Sequence, residues 1–109
     1  MTDVSHDRQR LARVCERLRG ASESSLVRPR DSLGGASAAA FVHELSTVAA
    51  QAMKAPTSVP LLHPLASADQ LAVLGRELLD AVAGGAEPGA LEAGLEQWRQ
   101  GIELLRQAV

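Results

Sequence analysis

LEAGLEQWRQGIELLRQAV, residues 91–109, places Leu91, Leu95, Trp98, Ile102, Leu105 and Val109 at alternating steps of four and three. That spacing keeps six apolar side chains on one stripe of an α-helix, a heptad seam held for more than two repeats. Gly94, Gly101 and Ala108 recur every seven residues beside the seam and leave a smooth ridge where another helix approaches closely. Glu96 with Arg99 and Glu103 with Arg106 stand three apart on the outer side, each pair contributing roughly a few tenths of a kcal/mol. Pro88 suits a first helical position, so this helix is expected over residues 88–108.

The preceding segments read the same way. Ser67-Ala68-Asp69-Gln70 fits a capping box. Leu71, Leu74, Gly75, Leu78 and Val82 follow at helical spacing until Gly84-Gly85, predicting a helix over 67–83. Upstream, Pro56, Pro60 and Pro64 forbid continuous helix across the linker 55–66. The linker also holds Val59, Leu61, Leu62 and Leu65, so it is expected to pack over the other elements. A further helix spans 37–53, with Ser37 as cap and Phe41, Val42, Leu45, Val48, Ala49, Ala52 and Met53 on its apolar face. The first spans 4–19, where Val4, Leu11, Val14, Cys15 and Leu18 share a stripe. Thr2, Asp3 or Ser5 serves as its cap, and Gly20 ends it. Residues 21–35, rich in Ser, Gly and Arg, read as a loop with a single turn around Leu26 and Val27.

Composition agrees with this reading. The chain has 109 residues, with 19 Ala and 16 Leu against only ten Val and Ile together. Ala and Leu are strong helix formers, whereas strands draw on β-branched and aromatic residues. The length fits one core. The expected fold is therefore all-α, a small three- to four-helix antiparallel bundle in a single domain. Helices 67–83 and 88–108 form its hairpin, helix 37–53 lies against that hairpin, and helix 4–19 closes the core or sits more loosely. The expected core is Leu11, Val14, Leu18, Phe41, Leu45, Val48, Leu71, Leu74, Leu78, Leu91, Leu95, Trp98, Ile102 and Leu105.

Charge and cysteine content narrow the function classes. The net charge is −2, which makes no global case for nucleic acid or an anionic membrane. One cysteine, Cys15, excludes an internal disulfide and a cysteine-based zinc knuckle. Its place between Val14 and Leu18 favours packing over nucleophilic chemistry. The first 20 residues lack the apolar core of a leader peptide, and no apolar run approaches the ~20 residues that span a bilayer. A cytoplasmic location is expected. His43-Glu44 begins like a zinc-protease helix, but Thr47 stands where the second histidine belongs. Gly34-Gly35 lacks the rest of a phosphate-binding fingerprint and reads as a loop breaker. No catalytic set, cofactor or metal is expected.

Two features point to binding. Arg10, Arg13 and Arg17 line one flank of the first helix, with Arg8 and Arg19 on the other, a pattern suited to acidic helices, an acidic protein or phosphate. Val73, Leu79 and Leu104 fall off the main stripes of their helices and are candidates for a partner surface. The expected function is a non-catalytic helical protein–protein interaction module: a small regulator, adaptor or complex subunit. Its partner is another protein, or a second copy paired through the 91–109 seam. The alternative is a nucleic-acid-associated protein using the arginines of the first helix and its following loop.

Overall fold

A computed structural model describes residues 3–54, 58–85 and 90–109. Among them the chain forms five α-helices and no strand: α1 Ser5–Gly20, α2 Glu23–Val27, α3 Ala38–Ala52, α4 Ser67–Ala83 and α5 Ala90–Ala108. Single 3-10 turns occupy Asp31–Leu33 and Pro64–Ala66. The radius of gyration, 13.2 Å, matches the ~13 Å expected of a compact chain of this length. The suggested cap at Thr2, the first linker proline Pro56 and the helix start at Pro88 lie outside the described residues.

Ser37 caps α3 by accepting from the Ala40 amide at 3.1 Å. The expected caps of α1 are not observed: its N-cap is Val4, without a side-chain cap, and its C-cap is Ala21, while Ser5 and Gly20 lie inside the helix. Asp3 Oδ1 accepts the Ser5 amide at 2.9 Å one residue before the cap. The capping box at Ser67 does not form. A 3-10 turn runs directly into α4, so Ser67 is already helical and its side chain makes no cap. Gln70 instead donates to the carbonyl of Pro60 at 2.8 Å. The turn foreseen around Leu26 is α2, started by Ser22 Oγ accepting from the Ser25 amide.

The four long helices surround one core, but the last two do not form its hairpin. α3 packs extensively on both α4 and α5, and α1 packs on α4 and less on α5, whereas α4 and α5 barely touch. Directions follow from named contacts. Arg8 reaches Asp80 and Arg19 reaches Asp69, so α1 and α4 run oppositely. Leu45 lies against Gly101 and Ala52 against Gly94, so α3 and α5 run oppositely. Asp7 meets Arg99 while Arg17 meets the carbonyls of Arg106 and Val109, so α1 and α5 run the same way.

The linker explains the remaining pair. His43 Nε2 lies 3.1 Å from the Val59 carbonyl oxygen, one residue before the carbonyl that Gln70 binds. His43 is in the first half of α3 and Gln70 in the first turn of α4, so α3 and α4 start at the same end and run in parallel. A helix of 15 residues is ~22 Å long. An extended return of about six residues covers nearly that distance. Residues 58–63, outside any helix or strand and proline-bearing, form a strap that runs from beside His43 into the start of α4.

Leu95, Trp98, Ile102 and Leu105 of the seam are all buried within the chain, as are Leu11, Val14, Leu18, Leu45, Leu71 and Leu78. Phe41, Val48, Leu74 and Leu91 are only half-buried against that core. Phe41 and Leu91 sit in the first turns of their helices, where fewer neighbours surround them. Leu26 and Leu33 from the segment read as loop are also buried. Gly94 and Gly101 do form a ridge, and the helix that approaches it is α3. With its central residues buried here, the seam is not a free surface for a second copy.

Two arginines close the far end of α5. Arg17 Nη1 donates to the carbonyls of Arg106 and Val109, both at 3.1 Å, and Arg30 Nη1 donates to that of Ala108 at 2.7 Å. These carbonyls have no partner further along the helix, and the helix dipole makes them a favourable seat for cations. Midway along α5, Arg99 donates two bonds to Asp7, at 2.9 and 2.7 Å. The Asp7 side chain is 8% exposed and that of Arg99 is 31%. Asp7→Asn should therefore cost about 2 kcal/mol in urea denaturation, because it strands a partly buried guanidinium. An unchanged midpoint would show the pair to be energetically idle.

Candidate functional site

The arginines of α1 divide into two groups. On the flank toward α4, Arg8 pairs with Asp80 at 2.8 Å and Arg19 with Asp69 at 3.2 Å. Both pairs are solvent-exposed and of small energetic weight. Between them a groove of about 210 Å³ is lined by Arg8, Leu11, Ala12, Cys15, Arg19, Ala72 and Arg76. Cys15 is 2% exposed, and burial pushes its thiol pKa up, with Arg19 opposing. A thiol held neutral in this way is a poor nucleophile.

On the other flank, His6, Gln9, Arg10 and Arg13 of α1 face Glu103 and Arg106 of α5 across a groove of about 390 Å³. Glu103 is already engaged. It accepts from Arg106 Nε and Nη2 at 3.0 and 2.6 Å and from Gln107 Nε2 at 3.3 Å. Those bonds, with the Arg106 charge and then that of Arg10, lower its pKa from 4.5 to about 2. Because the folded value lies below the unfolded one, this contribution is complete above about pH 4.5 and is lost as pH falls toward 2. A carboxyl chemical-shift titration of Glu103 should show that low midpoint, and Arg106→Gln should bring it back toward 4.5. Arg10 and Arg13 meet no carboxylate within bonding distance among the described residues.

The apolar candidates fare differently. Leu79 is fully buried, because α4 lies between α1 and α3 and covers two faces; it is withdrawn as a surface residue. Val73 is exposed but stands among Asp69, Arg76 and Glu77 on α4, while Leu104 is exposed on α5 beside Gln100 and Gln107. Their helices barely touch, and the two do not join. Arg17 is directed to the end of its own chain.

A larger apolar surface lies on the strap, which was expected to be covered. Leu61 is 77% exposed, Leu62 44% and Leu65 59%, and Val27 on α2 is 48% exposed. The turn carrying Leu65 packs on α2, and His63 Nε2 lies 3.4 Å from Glu23 Oε1, which brings these residues to one region. The signal was present in the sequence. Leu61, Leu62 and Leu65 follow one another too closely in a proline-bearing segment for all three to find a place in the core. No three or more His, Cys, Asp or Glu side chains among the described residues converge as a metal site, and no described helix is long and apolar enough to cross a membrane. No family model matches the chain, and neither a curated protein nor a solved structure is found to resemble it.

Proposed function

We propose that this chain is a non-catalytic helical interaction module, a small cytoplasmic regulator, adaptor or complex subunit. The observation that carries this reading is the exposed group Leu61, Leu62, Leu65 and Val27. Hydrogen bonds from His43 and Gln70 fix the strap's backbone while its leucines face outward. A loop serving only to connect two parallel helices gains nothing from exposed leucine, and exposed apolar side chains gathered in one region are a common mark of a binding site. The buried, neutral Cys15 supports the non-catalytic part of the reading. The compact all-helical core gives the strap a base.

The test is the triple variant L61S/L62S/L65S. Its melting should stay within about 1 kcal/mol of the parent, since exposed side chains contribute little to folding. Proteins co-purified with the parent from its native source should be lost. An identical set of partners, in a variant that remains folded, would overturn the proposal. Sedimentation of both proteins shows whether the partner is a second copy, which doubles the 11.4 kDa chain mass.

A further inference from the structure

We infer that the outer flank of α1, with the facing edge of α5, is a docking surface for an acidic helical segment of another protein. His6, Arg10, Arg13 and Arg17 follow one another at steps of four, three and four, a continuous stripe on the exposed side of the helix. Arg10, Arg13, Arg106 and the one carboxylate of Glu103 line the same 390 Å³ groove. Three guanidiniums against one carboxylate leave two positive charges in excess, and Glu103 is held by Arg106 and Gln107.

The clustering of three guanidiniums in one groove carries the argument. Arg8, Arg19 and Arg99 each pair with an aspartate, and Arg17 and Arg30 bind carbonyls at the end of α5. Among the described residues Arg10 and Arg13, like Arg28 and Arg76, meet no carboxylate within bonding distance, but only Arg10 and Arg13 stand three apart in one groove with a third guanidinium, where like charges repel. Carboxylates one turn apart on a second helix match their spacing, and a guanidinium donates paired hydrogen bonds to a carboxylate. Nucleic acid fits less well. Asp3 and Glu16 are exposed on the same segment, and the face offers no aromatic ring for stacking. Trp98 is buried, and Phe41 belongs to α3.

The surface is separate from the leucine strap, so the two readings fail independently. The experiment uses the full chain and two blocked alanine-based helical peptides of about four turns. One carries glutamates one turn apart and the other carries lysines at those positions. Fluorescence anisotropy is read at about 25 and 150 mM salt, where screening differs strongly, with circular dichroism to verify folding. The parent should bind the glutamate peptide, and R10A/R13A should weaken binding at least about tenfold. R10E/R13E should lose it and take the lysine peptide instead, while R28A and L61S/L62S/L65S bind like the parent. Absence of binding by the folded parent overturns the inference, as does equal weakening by R28A. Tighter binding of a DNA duplex at about 150 mM salt, lost in R10A/R13A, would assign the face to nucleic acid and overturn it too.

Discussion

Trp98→Ala is expected to reduce the stability of the fold by about 3–5 kcal/mol, the range for truncating a buried large side chain. Trp98 is 1% exposed and is the largest fully buried side chain in the molecule. Its ring lies against α4 where Gly75 has no side chain: a methyl there would stand 3.0 Å from Trp98 Cζ2 and 2.8 Å from Leu11 Cδ2. The indole thus links α5 to α4, a pair with almost no other contact. Few aromatic residues exist to take its place, since the chain has one Trp and one Phe. Trp98→Phe should cost much less, because the indole Nε1 is buried with no acceptor among the described residues, and losing it removes an unsatisfied donor. Chemical denaturation of the three proteins measures both effects. If Trp98→Ala left the midpoint unchanged, the central place given to this side chain would be wrong.

The second large effect is expected at Gly94. A methyl group there would overlap Cβ of Ala52 on α3. That atom is attached directly to the backbone and has no rotamer by which to withdraw, so the helices themselves must separate. Gly94→Val is expected to cost about 3 kcal/mol, the upper part of the usual range for overpacking. Gly94→Ala should cost less, because it also relieves the ~1 kcal/mol helix penalty of glycine. The decisive protein is the exchange Ala52→Gly with Gly94→Ala, which moves the methyl from one helix to the other. It should recover most of the stability lost in Gly94→Ala, and a double-mutant cycle reports the coupling. Additive losses would mean that α3 and α5 do not meet at this point. Gly101 faces Leu45 more tolerantly, since the clash there involves the end of a side chain with rotamers of its own.

The glycine ridge and the seam were legible in residues 91–109 because helical period alone puts them on adjoining faces. Which helix fills the ridge was not legible. Periodicity says that a face is buried and is silent about its neighbour, so it does not tell a hairpin of the last two helices from the observed pairing of α5 with α3. What decided otherwise was the strap: its length and prolines were read as a break, when they are also what a return of about one helix length requires. Leu79 shows the same limit, since a helix between two neighbours buries more than a single stripe. For the candidate surfaces, the arginine stripe was visible from spacing. Only the positions of Asp69, Asp80 and the end of α5 separate Arg8, Arg17 and Arg19 from Arg10 and Arg13.

The pairing of α1 with α5 also orders events during synthesis. Asp7 and Arg99 are 92 residues apart, as are Arg17 and Val109. A nascent chain that has emerged only as far as α4 therefore holds α1, α3 and α4 around a missing wall, with Leu11, Leu45 and Gly75 open to solvent. Such an intermediate is sticky. Among the described residues the core closes only when α5 packs against α1 and α3.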